Sequence, residues 1–133
     1  TLSSSSAASD VYKRQDRKRA VGRGAAGTGT EHHWQMQVSA VALAFLLPVW
    51  VYIFGSALGQ GHEAVLATFA RPFPAIVTAL VLFVSMRHFA KGAQMMIEDY
   101  AKGHTRKALV IAAISLSYVV MATGFYALVR IAI

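Results

Sequence analysis

Ser85–Tyr100 reads SMRHFAKGAQMMIEDY, and where this stretch sits decides the fold. It overlaps the end of an uncharged run, Pro72–Met86, and then introduces Arg87, His88, Lys91, Glu98 and Asp99 in quick succession. The uncharged run is fifteen residues long, too short at about 1.5 Å per residue to cross a hydrocarbon layer of roughly 30 Å. A membrane helix that starts here must therefore continue through the charged stretch to about Tyr100. Pro72 and Pro74 mark its beginning, where a missing amide hydrogen costs least.

The rest of the chain makes that membrane reading the natural one. In 133 residues, 56% are apolar, and they are bunched in long runs instead of spread over amphipathic patterns. Val38–Leu58 is 21 residues without a charge and Ala108–Val129 is 22, so each is long enough to span. Pro48 falls inside the first run and predicts a kink, which neighbouring helices or water can compensate. Trp34 stands where an interfacial aromatic belongs. Gly59–Arg71 carries turn residues and reads as a loop, while Ser115, Ser117, Thr123 and Gly124 are small residues suited to close helix contacts. The expected architecture is an all-α membrane protein of three transmembrane helices, at about 35–58, 72–100 and 106–131.

The formal charge is +7 and there is no cysteine. The latter excludes disulfides, cysteine zinc sites and iron-sulfur clusters built from this chain alone. The basic residues lie beside apolar runs, where they act as orientation signals and not as a nucleic-acid footprint. Ser5–Gln15, SSAASDVYKRQ, can be encoded codon for codon by a common transposase-based sequencing adapter. Residues 1–15 are therefore expected to be read-through, with the native start missing. Residues 16–33 read as a flexible basic tail and 34–133 as the membrane unit.

Lysine and arginine counts set an expected orientation. Arg17, Lys18, Arg19 and Arg23 precede the first span, and Lys102, Arg106 and Lys107 join the second to the third; the opposite side has only Arg71 and Arg130. The N-terminus is expected inside, the C-terminus outside and Tyr100 at the inner face.

On a helix with 100° per residue, placing His88 at zero puts Gly92 at about 40°, Met95 at about −20° and Asp99 at about 20°, one stripe. Tyr100 lies about 120° round, and His88 sits roughly 16 to 18 Å above the Asp99/Tyr100 pair. A buried imidazole can offer one nitrogen to a metal, and the missing side chain at Gly92 leaves room for a flat macrocycle. Axial ligation of haem is one reading of His88; a plain hydrogen bond across helices is the other. A second axial ligand would have to come from another chain, since His32, His33 and His104 lie near the inner ends and His62 in the outer loop. Tyr100 could donate to a quinone carbonyl with Asp99 holding it or relaying protons, or it could be a belt aromatic beside solvated acids. Arg87 and Lys91 share a face about 60° to 100° from His88. Lone cations at this depth cost about 2.5 to 3.5 kcal/mol each on insertion scales and call for anionic partners. Haem propionates are one candidate; a carboxylate on another subunit, or snorkelling by Lys91, is the plainer one.

His88, Gly92, Asp99 and Tyr100, read as H-x3-G-x6-D-Y, together with GTEHHWQMQVSAVAL before the first span, resemble the D-type hydrophobic membrane anchor of succinate dehydrogenase, respiratory complex II. IEDY is especially similar to alphaproteobacterial members. The resemblance implies that His88 supplies one axial ligand to a b-type haem and a C-type cytochrome b anchor subunit the other. It further implies that Tyr100 hydrogen-bonds ubiquinone with Asp99 beside it, and that a flavoprotein and an iron-sulfur subunit dock on the inner face. The succinate-oxidising site would lie in those subunits, and the chain itself in a bacterial inner membrane or, alternatively, the mitochondrial one. The family usually has arginine where Gln37 stands, ahead of Ser39 and Ala40, so Arg87 or Lys91 is expected to take over its role. A fumarate reductase anchor of the same architecture, or a cofactor-free structural membrane subunit, is the alternative.

Overall fold

The computed structural model describes residues 29–133. The adapter-like segment and residues 16–28 of the expected tail lie outside them; Gly29–His33, expected within that tail, is helical. The chain is all-helical over the described residues: α1 is Gly29–Ala57, α2 His62–Ala70, α3 Pro72–Tyr100 and α4 Gly103–Ala132. Three of them, α1, α3 and α4, are long and apolar enough to cross a membrane. The second span does run through the charged stretch to Tyr100, as its short uncharged part demanded.

Local chemistry explains the boundaries. The first helix continues unbroken through Pro48 and ends in a turn where Gly59 and Gly61 take φ of 78° and 91°, a backbone region open to glycine at little steric cost. Arg71 is extended and Pro72 opens α3, where its fixed φ suits the first helical turn. At the other end Ala101 is extended and its amide still reaches the Ile97 carbonyl at 2.8 Å. Only Ala101 and Lys102 separate α3 from α4, so the two helices form a tight antiparallel hairpin with Tyr100 in the last turn before the bend.

The segment expected as a loop, Gly59–Arg71, contains the nine-residue helix α2. Val65 and Phe69, four apart, face inward from it and help build the core. That core joins Ile53 and Ala57 of α1, Phe69 of α2, and Val77 and Val81 of α3, with Trp50 and Ile131 packed against it. Trp50 stacks on Phe54 at 5.1 Å between ring centroids. The cluster lies at the end of the bundle remote from Tyr100. Deeper along the hairpin, α3 meets α4 through small residues: Ser117 is 2% exposed and donates to the Ala113 carbonyl, and Gly124 lies directly against Leu82. Close approach of this kind is what drives association where lipid removes the hydrophobic incentive. Much of the remaining apolar surface, Phe45 and Tyr52 among it, faces outward, which suits lipid or further membrane chains.

Candidate functional site

Ser39 of α1 and His88 of α3 meet inside the bundle, Oγ to Nδ1 at 2.8 Å. The same Oγ lies 3.0 Å from the carbonyl of Met36, one turn earlier on α1. The hydrogen bond across helices foreseen for a membrane histidine is thus present, and it engages one ring nitrogen only. Sequence reading passed over Ser39 as half of a Ser-Ala pair. The signal that could have found it is a hydroxyl within an otherwise apolar span, whose hydrogen-bonding capacity has to be met inside the protein.

Gly92 follows His88 by one turn on the same side of α3. A Cβ built there would approach only Met36 Cε, at 3.7 Å, an ordinary contact distance. Nothing in the packing of the described residues requires glycine at 92. The stripe then runs outward: Met95 is about half exposed and Tyr100 is 87% exposed, and Asp99 is exposed beside it. Among the described residues neither Asp99 nor Tyr100 makes a side-chain hydrogen bond, whereas Glu98 accepts one from Gln94 Nε2 at 2.9 Å. His88 and the Asp99/Tyr100 pair are therefore on one helix but not in one pocket, separated by about 16 to 18 Å of helix.

Arg87 and Lys91 go elsewhere. They line a cleft of about 310 Å³ bounded by α3, α4 and Gln35 of α1, with Gln94 on their own helix and Ser117 and Tyr118 across from them. Arg87 is exposed and Lys91 half-buried. Among the described residues neither cation has a carboxylate within ion-pair distance, so their partner in the membrane is not supplied by this part of the chain. Gln37 is exposed and about 160° round α1 from Ser39, which turns it away from His88. The described residues hold no cluster of three or more metal-ligating side chains, so any metal held by His88 must draw other ligands from outside them.

Comparison with known proteins bears on the whole arrangement. Residues 12–123 match the family described as succinate dehydrogenase/fumarate reductase transmembrane subunit. The chain is 49% identical over 114 residues to the succinate dehydrogenase hydrophobic membrane anchor subunit of Paracoccus denitrificans, covering 86% of this chain and 88% of that one. The subunits of the same name from Rickettsia typhi and Rickettsia prowazekii are each 26% identical over 96 residues, 71% of this chain and 76% of theirs. No solved structure gives a significant match. Three spanning helices, a family match over most of the chain and a relative aligned nearly end to end agree: the chain belongs to the succinate dehydrogenase/fumarate reductase transmembrane subunit family.

Proposed function

We propose that this chain anchors succinate dehydrogenase to the membrane and, with a C-type cytochrome b anchor subunit, shares a b-type haem and a ubiquinone site. Anchoring follows from the family and from the three spanning helices. The observation that carries the finer reading is the state of His88. Its Nδ1 is held by Ser39, leaving Nε2 as the nitrogen able to reach a metal, and one turn along the helix stands Gly92, a glycine that the packing of the described residues does not require. A histidine fixed through one nitrogen with the other left as a donor is what an axial ligand requires, so these residues fit the group.

When bound, the haem supplies a one-electron carrier within the membrane. The residues of this chain would do the holding: Ser39 orients the ring, His88 presents Nε2 and Gly92 adds no side chain of its own on that stripe. Arg87 and Lys91 are the cations available at that depth for the propionates. At the end of α3, the exposed Tyr100 hydroxyl donates to a quinone carbonyl, and the Asp99 carboxylate beside it steadies that group or passes protons from the aqueous side. A buried tyrosine would have spent its hydroxyl inside the bundle; this one is free for a ligand shared with neighbouring subunits. The positive-inside count supports a reading in which this end of α3 meets the cytoplasmic face of a bacterial inner membrane, with the N-terminus inside and the C-terminus outside. The flavoprotein and iron-sulfur subunits dock on that face and deliver electrons from succinate.

The test is the absorbance of the purified complex. A haem Soret band is expected, and it should be lost when His88 is replaced by alanine while the catalytic subunits still oxidise succinate with a soluble dye. A Soret band of undiminished strength in His88→Ala would overturn the ligand assignment.

A further inference from the structure

The two contacts of the Ser39 hydroxyl decide which nitrogen of His88 carries the proton. A hydroxyl has one hydrogen to give. The Met36 carbonyl has none, so the 3.0 Å contact between Ser39 Oγ and Met36 O is a hydrogen bond only if serine donates it. The 2.8 Å contact with His88 Nδ1 is then a hydrogen bond only if the ring donates and Oγ accepts. Of the two tautomers of a neutral imidazole, the form a metal ligand must take, only the one protonated on Nδ1 with its lone pair on Nε2 satisfies both. From this relay we infer that Ser39 is a positioning residue for axial ligation: the chain Met36 O, Ser39 Oγ, His88 Nδ1 sets the tautomer and ring plane in which Nε2 faces outward as a base. The inference rests on the haem reading proposed above and adds to it the group that makes His88 a ligand.

Accepting the Nδ1 proton also tunes the ring. An imidazole whose N–H is hydrogen-bonded is a stronger electron donor at its other nitrogen, and loss of such an outer partner typically weakens metal binding by about 10 to 100-fold. A weaker donor stabilises ferric iron less, so the haem potential rises. Ordinary helix packing by a serine predicts neither effect.

The experiment uses the assembled complex with Ser39→Ala, Ser39→Thr, Ser39→Cys and His88→Ala, reading haem content per flavin, haem midpoint potential, and haem transfer to an excess of a scavenging apoglobin. Ser39→Ala is expected to hold haem about 10 to 100-fold less tightly and to show a raised potential. Ser39→Thr, which keeps the acceptor, should behave as the unaltered complex, and Ser39→Cys, a near-isosteric weak acceptor, should shift in the same direction as alanine. If alanine prevents assembly, the threonine and cysteine pair decides alone. An unchanged potential and transfer rate in Ser39→Ala, or in Ser39→Cys where alanine does not assemble, overturns the inference, as does a threonine variant as impaired as the alanine or cysteine one. Should His88→Ala keep its haem, the underlying ligand reading has failed; should it lose haem while the serine variants change nothing, only the role given to Ser39 has failed.

Discussion

Ser39 Oγ and His88 Nδ1, 2.8 Å apart and 49 positions distant in the chain, tie the first spanning helix to the second. As a structural tie the bond is modest. Side-chain hydrogen bonds between membrane helices average about 0.6 kcal/mol, because the dissociated helices find other partners. The bond has a larger consequence for which nitrogen of the imidazole is left over, since with Nδ1 engaged only Nε2 remains to meet another group.

Gly92 gives the first prediction. Alanine there would meet Met36 Cε at an ordinary distance and would gain about 0.8 to 1.0 kcal/mol of helix propensity. The bundle should therefore tolerate Gly92→Ala, with no fall in the yield of complex, while haem per flavin declines. Full haem occupancy in the alanine variant would show that the missing side chain at 92 serves no macrocycle.

Tyr100 gives the second. At 87% exposure and with no hydrogen bond of its own among the described residues, it contributes little to the fold of this chain. Tyr100→Phe should leave assembly and the Soret band intact and lower ubiquinone reduction by up to about 10-fold, the worth of one neutral hydrogen bond. Succinate oxidation by a soluble dye, which bypasses the quinone, should be unchanged. A matching loss in both assays would move the defect away from the quinone.

How much of this was readable beforehand depended on whether a residue's role is local. The extent of α3 followed from a length requirement, since Pro72–Met86 could not span without Arg87–Tyr100. The stripe of His88, Gly92 and Asp99 followed from helical period. The partner of His88 did not, because pairing Ser39 with it needs the relative rotation and depth of two helices, which no spacing encodes. The side taken by Arg87 and Lys91, toward Ser117 and Tyr118 of α4, was hidden for the same reason. The helix His62–Ala70 was missed because two glycines and an arginine frame it, although Val65 and Phe69 already stood four apart, a helical spacing.

The contact between Gly124 and Leu82 gives the third prediction. A Cβ at 124 would collide with Leu82 Cδ2, and overfilling a packed interface costs about 1 to 3 kcal/mol. Gly124→Ala should lower the melting temperature of the complex. Because the obstructing atom is the tip of a flexible side chain, adding Leu82→Ala should recover much of the loss despite removing packing of its own. Simple additivity of the two changes would mean that α3 and α4 do not meet at these positions.

Trp50 gives the fourth. Its ring stacks on Phe54, yet its Nε1–H is buried without a partner among the described residues. An unsatisfied buried donor costs about 1 to 3 kcal/mol, so Trp50→Phe, which keeps the stack and removes the donor, should leave the melting temperature unchanged or raise it. Trp50→Ala should lower it sharply, by about 3 to 5 kcal/mol of lost packing. If phenylalanine proves as damaging as alanine, the indole N–H is bonding to a neighbouring subunit in the assembled complex.

The last prediction concerns the two cations. Arg87 and Lys91 line a cleft that offers amide and hydroxyl groups but no carboxylate, and holding unpaired positive charge at membrane depth costs a few kcal/mol. Snorkelling to the interface or an anion from outside the described residues offsets that cost, and haem propionates are the anions the proposed function brings closest. Removing both cations in an Arg87→Ala/Lys91→Ala variant abolishes the cost along with the attraction. The complex should therefore assemble and the three helices insert as before, while haem is lost more readily to a scavenging apoglobin and ubiquinone reduction falls. Replacing each cation singly should give a smaller effect than replacing both, since either can still face an anion. Equal haem retention and equal quinone reductase activity in the double variant would reject the propionate assignment and leave a carboxylate of a partner subunit as the group these cations face.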